Sequence, residues 1–206
     1  MTFKINDLNN MQIDVLREIG NIGAGNAATA LAKIINKKVN MEVPKVKILE
    51  FKDVNEMLGG AENLVAGILL KVTGDLKGSI LFMMDIKAAH ILVNILMGKP
   101  VDNVEEFGEI EFSALKEVGN ILAGSYLSAL SSLTKLMIMP SVPDIAIDMA
   151  GAILSVPAIE FGRVGDTVLY IETAFSEGST KVVGDFILVP DLDSYEILLS
   201  ALGVIS

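Results

Sequence analysis

The sequence predicts an α+β fold with an internal duplication, in which a largely antiparallel sheet carries two long helices related by a pseudo-two-fold axis. The first observation is a repeat: segment 14–26, DVLREIGNIGAGN, aligns without a gap with segment 113–125, SALKEVGNILAGS, at an offset of 99 residues. The second is that both segments lie in long stretches whose apolar residues recur every three or four positions, which is the helical period. The third is that apolar runs joined by short, glycine-containing turns predict antiparallel strand pairs.

The first half, about residues 1–100, begins with a polar lead-in in which Asn6 and Asn9 are candidate helix caps. A proline-free amphipathic run over 11–36 predicts the first long helix, with an apolar side comprising Ile13, Leu16, Gly20, Gly23, Ala27, Leu31 and Ile34. We then expect a strand over 43–51, a short amphipathic piece over 52–60, strands over 63–74 and 76–85 that meet at Gly74-Asp75, and a helix over 86–98 that ends at Gly98 and Pro100.

The second half, about residues 101–206, repeats that order after an acidic, solvated connection over 101–111. We expect a long helix over 113–136, strands over 166–175 and 180–189 joined through Glu177-Gly178, and a closing helix over 192–203. The closing helices match at an offset of 106 rather than 99, so seven additional residues fall within 144–166. Because no flexible linker separates the halves, residues 1–206 are predicted to form one globular domain with its helices on one side of the sheet.

Composition excludes several classes of function. The net charge of −10 argues against nucleic acids and anionic membranes as partners, and no apolar run reaches the roughly 18 residues that span a bilayer. The chain contains no cysteine, which rules out disulfides, cysteine-based zinc sites and thiol chemistry, and we expect a cytoplasmic protein. The single histidine, His90, can form neither a metal cluster nor a Ser-His-Asp triad, and we interpret it as a residue at the edge of the core.

The candidate site residues lie on one polar stripe of each long helix, on the side opposite the apolar face. The simplest interpretation is a solvated helix surface. However, Asn is a poor helix former, and duplicated copies usually diverge at solvated positions, whereas both copies keep Glu-x-x-Asn. The stripes comprise Asp14, Glu18, Asn21 and Gly25 in the first helix and Ser113, Glu117, Asn120 and Gly124 in the second.

Three glycines in the first helix each lower its stability by roughly 1 kcal/mol relative to alanine, which suggests a packing reason for them. Gly20 and Gly23 lie on the apolar side, where they would let the helix approach its own core closely. Gly25 lies on the polar stripe, where it would let a partner approach.

The spacing Asp/Ser-x-x-x-Glu-x-x-Asn, followed about 20 residues later by proline, resembles the signature of the CheC/CheX/FliY family of bacterial chemotaxis phosphatases. Pro44 and Pro143 occupy the proline position in the two copies. The resemblance covers nearly the whole chain, and the two-motif layout is most similar to the CheC branch of the family. It implies hydrolysis of the aspartyl phosphate of the response regulator CheY, a partnership with the receptor deamidase CheD, and a monomer.

In that role Asn21 and Asn120 would position the attacking water, while Glu18 and Glu117 would dock a lysine of the regulator. We expect no cofactor in this chain, and the magnesium ion would belong to the regulator. The alternative is a non-catalytic adaptor that sequesters phosphorylated CheY or CheD, and replacement of the two Asn residues by Ala distinguishes the two functions.

The normal substrates of CheD are glutamines on receptor helices, so a surface that binds it is predicted to resemble a helix of small residues. Segment 145–154, IAIDMAGAIL, is the best candidate, and Asp148 is its only charged residue. It lies where the two halves lose their common offset. A buried connector is the alternative interpretation.

Overall fold

The computed structural model describes residues 10–36, 38–161 and 167–203, so the caps predicted at Asn6 and Asn9 lie outside the described residues. This part of the chain forms six α-helices and seven strands, and all the strand pairings are antiparallel, as predicted. In chain order the elements are α1 (Asn10–Ile35), β1 (Asn40–Glu50), a 3-10 turn (Phe51–Asp53), α2 (Val54–Met57), β2 (Leu64–Gly74), β3 (Gly78–Asp85), α3 (Ile86–Met97), α4 (Glu109–Thr134), β4 (Ile138–Pro140), β5 (Asp144–Met149), α5 (Ala150–Phe161), β6 (Thr167–Glu177), β7 (Thr180–Pro190) and α6 (Leu192–Ala201). Within these ranges, no helix is both long enough and apolar enough to cross a membrane.

Most predicted elements form close to their predicted boundaries, because local chemistry sets where they end. The turn after β2 begins at Gly74, whose φ of +108° suits glycine. Helix α3 begins where Asp85 Oδ1 accepts a hydrogen bond from the Ala88 N–H at 2.7 Å, and it ends at Gly98 in the left-handed conformation. His90 is half-buried on α3 and stacks on Phe107 with ring centroids 4.2 Å apart, as expected at the edge of a core.

Helix α4 begins at Glu109 rather than at the predicted residue 113, so the end of the acidic connection is helical. The Gly108 N–H donates to Glu111 Oε2 at 3.0 Å, and Lys99 Nζ donates to Glu111 Oε1 at 2.9 Å. These contacts stabilise the start of the helix, and because they are polar, the spacing of apolar residues does not predict them. As a result α1 and α4 have the same length, 26 residues, and begin 99 residues apart, which is the offset of the repeat.

The order of the strands follows the duplication. It is β1-β6-β7-β3-β2-β4, and β5 also pairs with β2. In the central β3–β7 pair, Leu81 lies opposite Ile187, and these two residues are themselves 106 positions apart. The same offset relates the flanking pair Ile80–Leu188 to the flanking pair Phe82–Phe186. The pseudo-two-fold axis therefore passes through Leu81 and Ile187. The outer strands cross between the halves, because β1 pairs with β6 while β4 and β5 pair with β2.

Helices cover both faces of the sheet, which corrects the prediction that they lie on one side. The first core contains buried side chains of α1, α3, α4 and α6, and in it Phe82 stacks on Phe186 with centroids 4.6 Å apart. The second core lies on the opposite face, where α2 and α5 cover alternate residues of the same strands, Leu81 and Met83 among them. The unbroken apolar run at 80–84 is typical of a strand that is buried on both faces.

The segment 145–154 does not form the small-residue helix that we predicted. Its first five residues belong to β5, which pairs with β2 from Asp144 opposite Leu69 to Met149 opposite Leu64. The helical part begins at Ala150, and the side chains of Ala150, Ile153 and Leu154 are buried in the second core. Sequence alone could not separate the two parts, because short apolar runs suit strands and helices equally well.

One residue on the predicted apolar side of α1 is wrongly assigned. Ile34 is 54% exposed, and the buried line of the helix instead continues from Ala27 and Leu31 to the half-buried Ile35. Steps of four residues keep this line on the core in the last turn, where the prediction used a step of three.

Candidate functional site

The first polar stripe lies on the solvent side of α1. Asp14, Glu18, Asn21 and Gly25 are all exposed, whereas Leu16 on the opposite side is 6% exposed. At 1.5 Å per residue the stripe extends over about 16 Å of helix, which is long enough to contact a macromolecular partner.

The glycines of α1 divide as predicted between packing and access. A Cβ atom on Gly20 would lie 3.2 Å from Val43 Cγ1, and one on Gly23 would lie 3.0 Å from the Tyr126 Cα of α4. These two glycines therefore permit close approach of β1 and α4. At Gly25 no heavy atom of the described residues lies within 4 Å of the added Cβ, so the space above it is open among them.

The second stripe repeats this arrangement on α4. Ser113, Glu117 and Asn120 are exposed. Gly124 is half-buried, and within the part of the chain that the structure describes no heavy atom lies within 4 Å of an added Cβ. The glycine on the packing side of α4 is Gly119, where an added Cβ would lie only 2.5 Å from a methyl carbon of Ile68. Each helix therefore presents the same polar stripe while its opposite side packs closely on the protein.

The two stripes lie on neighbouring helices, because α1 and α4 meet at Gly23 and Tyr126. Asn21 precedes Gly23 by two residues and Asn120 precedes Tyr126 by six, as counted in the sequence. Along a helix these separations correspond to Cα–Cα distances of about 5.5 Å and about 10 Å. Together with the contact between Gly23 and Tyr126, they place the Cα atoms of the two Asn residues no more than about 20 Å apart. The structure thus brings both candidate sites together within the span of one partner protein.

The two prolines of the repeat lie at the outer edges of the sheet, where strand pairing is interrupted. Pro44 lies in β1 at a register shift between Glu42 and Lys45. Pro143 is buried, and it lies in the gap between β4 and β5. Proline lacks the N–H that a sheet ladder requires, so it is tolerated at such breaks in edge strands. The breaks in strand pairing therefore explain why the sheet accommodates proline at both positions.

The charges along the two stripes differ. Arg17 Nη1 on α1 forms an ion pair with Asp14 Oδ1 at 2.8 Å, and the two side chains are 45% and 66% exposed. On α4 the corresponding positions are Lys116 and Ser113, and Lys116 forms no ion pair with any residue in the described ranges. Sequence reasoning missed this basic position, although its signal is plain: Arg and Lys occur 99 residues apart, one residue before each Glu.

The ion pair at the start of α4 adds a second difference. The Lys99 hydrogen bond holds the pKa of the Glu111 carboxyl below its usual range, and the same bond raises the pKa of Lys99. The other carboxylate oxygen of Glu111 accepts the hydrogen bond from the Gly108 N–H. These contacts fix the first turn of α4 one turn before Ser113.

Asp148 lies apart from both stripes, in the edge strand β5. It is exposed, it is opposite Val65 of β2, and its Oδ1 accepts a hydrogen bond from the Met149 N–H at 2.7 Å. The carboxylate therefore stands at the margin of the sheet, where a partner can reach it.

A further polar cluster, which sequence reasoning missed, lies on the sheet face of the second core. Tyr170 donates a hydrogen bond to Asp185 Oδ1, and Lys45 pairs with Glu172 at 2.9 Å on the neighbouring strands. Burial raises the pKa of Asp185 to about 6 and, together with the nearby Asp185 charge, raises the pKa of Tyr170. Over the described ranges, no group of three or more His, Cys, Asp or Glu residues is arranged to hold a metal ion.

Comparison with known proteins bears directly on these stripes. The profile of the CheC-like family matches residues 11–48 and 110–147, which contain both stripes and both prolines. The chain is 43% identical over 202 residues to the CheY-P phosphatase CheC of Bacillus subtilis, covering 96% of this chain and 97% of that protein. It is 31% identical over 130 residues to the flagellar motor switch phosphatase FliY of the same organism, covering 63% of this chain and 34% of that protein. The X-ray structure of Thermotoga maritima FliY is similar with a TM-score of 0.77 and 25% identity, covering 96% of this chain and 98% of that one.

Proposed function

Because this chain belongs to the CheC-like family, we propose that it hydrolyses the aspartyl phosphate of the response regulator CheY at two sites, one on α1 and one on α4. The chain is a response-regulator phosphatase, as its 43% identity to the CheY-P phosphatase CheC over nearly its full length indicates. The observation that carries the two-site proposal is the duplicated Glu-x-x-Asn, whose side chains are exposed on both helices.

The chemistry needs little covalent work from the protein. An aspartyl phosphate is an activated mixed anhydride: a water oxygen bonds to phosphorus while the bond to the aspartyl oxygen breaks, giving inorganic phosphate and the free carboxylate. Asn21 and Asn120 are suited to hold that water in line. An amide offers one donor group and one acceptor group and carries no charge to repel the phosphoryl oxygens.

Glu18 and Glu117 have a different role in this proposal. A carboxylate next to a phosphoryl group would repel it, so the glutamates dock the regulator through one of its lysines, one turn away from the chemistry. Neither glutamate forms an ion pair with another described residue, which leaves both carboxylates available. The magnesium ion of the reaction belongs to the regulator in this scheme.

The decisive experiment replaces Asn21 and Asn120 by Ala, singly and together, and measures phosphate release from purified phosphorylated regulator. Loss of a positioned catalytic group typically lowers the rate on the order of 10²-fold or more, so the double variant should be nearly inactive. Asn26→Ala is the matched control, because Asn26 is an exposed residue of α1 that lies outside the stripe. Unfolding curves confirm that each variant is folded.

The competing function is a non-catalytic adaptor that sequesters phosphorylated CheY or CheD. An adaptor has no water to position, so it tolerates the loss of both amides. A double variant that still releases phosphate within a few-fold of the unsubstituted rate would refute catalysis by the motif and favour the adaptor.

The role of the glutamates has its own test. Glu18→Lys and Glu117→Lys place a cation against the regulator's lysine, so KM should rise while kcat at saturation changes little. A lower kcat at an unchanged KM would instead place these carboxylates in the chemical step.

We also propose that the chain binds CheD, with Asp148 in the interface. The proposal is supported by the family and by the exposure of Asp148 at the sheet edge, and no longer by a helical structure of segment 145–154. Asp148→Lys should abolish CheD binding in a pull-down while phosphate release continues. Asp144→Lys is the matched control, since Asp144 is exposed at the start of the same strand. Normal binding by Asp148→Lys would remove this residue from the interface.

A further inference from the structure

We propose that Arg17 and Lys116 bind the phosphoryl group of the docked regulator, one at each site, and that Asp14 competes for Arg17 so that the α4 site is the stronger of the two. This inference rests on the proposed function. It assigns a binding role to a basic position outside the Glu-Asn motif and a direction to the difference between the sites.

Placement on the helix is the first argument. Arg17 precedes Asn21 by four residues and Lys116 precedes Asn120 by four, so each cation lies one turn from the Asn on the same helix face. Both cationic side chains are exposed, and both reach further than the short Asn side chain. A phosphoryl group at the Asn is therefore within reach of the cation.

Charge is the second argument. The phosphoryl group is anionic, and each site already carries a glutamate that repels it. Arg and Lys supply the charge-assisted hydrogen bonds that phosphoryl oxygens accept best. Without Arg17 or Lys116, each stripe would offer only carboxylates and neutral groups to an anionic ligand.

The difference between the sites comes from a single position of the repeat. Asp14 holds Arg17 at 2.8 Å, and Ser113 at the corresponding place on α4 carries no charge. Lys116 has no ion-pair partner among the described residues. The charged groups of the α1 stripe thus sum to one negative charge and those of the α4 stripe to none. Asp14 therefore competes with a phosphoryl group for the charge of Arg17, whereas no carboxylate among the described residues competes for Lys116.

The experiment exchanges the residues Asp14 and Ser113 between the two sites, each in a chain in which only one site is active. With Asn120→Ala removing the α4 site, Asp14→Ser should raise kcat/KM of the α1 site about two- to five-fold, the scale of an exposed ion pair. With Asn21→Ala removing the α1 site, Ser113→Asp should lower kcat/KM of the α4 site by a similar factor. Both changes should appear in KM and weaken at high salt, as expected for an anion contact.

The inactive sites supply the controls. Asp14→Ser combined with Asn21→Ala, and Ser113→Asp combined with Asn120→Ala, change the same charges next to a site that no longer works, so the remaining site should keep its rate. Lys33→Ala removes one exposed cation from α1 away from the stripe and should have no effect. Arg17→Ala and Lys116→Ala should each raise KM of their own site only.

The outcomes separate this inference from the proposed function. If both exchanges leave KM unchanged, or change only kcat, the inference is wrong even though the Asn variants support catalysis. If the double Asn variant stays active, the proposed function fails instead. Affinity of the same variants for a beryllofluoride-charged regulator then tests the inference without hydrolysis. Equal affinities of Asp14→Ser, Ser113→Asp and the unsubstituted chain would overturn it.

Discussion

Helices α1 and α4 are the same length and begin at equivalent positions of the repeat, yet the protein supports them differently. Gly20 of α1 lies against Val43 of the edge strand, and Val43 is 6% exposed. Its counterpart on α4, Gly119, lies against Ile68 of β2, while Val142 at the position of Val43 is 82% exposed. Both stripes have therefore kept Glu, Asn and Gly at equivalent positions while the buried contacts beneath the helices diverged.

That pattern is the reverse of what packing alone would produce. Buried positions normally tolerate the least change, because a core is close-packed and a single methylene alters its stability. Exposed polar positions carry no such constraint. Retention of Glu and Asn on the exposed side of both helices therefore points to a requirement that a partner imposes from outside.

The largest expected effect tests how differently the buried sides of α1 and α4 are packed. Gly119→Ala would force a methyl group to 2.5 Å from Ile68, a fully buried residue, so the free energy of unfolding should fall by about 2 kcal/mol. Gly20→Ala meets Val43 at 3.2 Å and gains helix propensity of about 1 kcal/mol, so its net change should stay below about 1 kcal/mol. Urea denaturation measures both variants. Equal losses in the two would show that α1 and α4 are backed equally tightly.

The second prediction compares the central strands, where Asp185 of β7 stands at the position that Ser79 holds in β3 under the offset of 106. The pKa of Asp185 in the folded state is about 6 and lies above its usual value of 3.8, chiefly because of burial. The folded state therefore binds the carboxyl proton of Asp185 more tightly than the unfolded state does. As a consequence, the free energy of unfolding falls as pH rises from about 4 to about 6.

Asp185→Asn keeps an acceptor for the Tyr170 hydroxyl and removes the charge. Allowing for partial exposure, it should stabilise the protein by about 1.5 kcal/mol at pH 8 and change little at pH 4. Denaturation at both pH values measures the difference. Ser79→Ala is the matched control, since Ser79 is buried and its hydroxyl has no hydrogen-bond partner among the described residues. Its effect should not vary with pH. A pH-independent gain from Asp185→Asn would contradict the assigned cause.

The smallest predicted effect concerns the exposed sides, where the two helices should behave alike. A Cβ atom at Gly25 or Gly124 meets no atom of residues 10–36, 38–161 or 167–203 within 4 Å, so alanine at either position should raise stability by about 1 kcal/mol through helix propensity. If these glycines leave room for the regulator, KM at the site concerned should rise several-fold in the same variants. More stable proteins with unchanged KM would show that neither glycine serves docking.

Local patterns in the sequence were enough to predict much of this protein. Periodicity placed Glu18 and Asn21 on the exposed side of a helix, and turn chemistry placed the hairpin at Gly74 and the end of α3 at Gly98. These features depend on residues close together in the chain, so short-range spacing contains them. The duplication then carried the same predictions to the second half.

Only the tertiary structure decided what depends on distant residues. The crossing of β1 to β6, the second core under α5 and the Lys99–Glu111 contact were not predicted. The Arg17–Asp14 ion pair was also missed, although it joins residues three apart on one helix and is therefore local in the sequence. Outer strands of both halves have similar apolar patterns, so periodicity cannot say which neighbour each will pair with. Side-chain rotamers decide whether a lysine or arginine meets a carboxylate. Such choices follow from the packing of the whole chain, because contacts across many residues of sequence are formed only when the fold is complete.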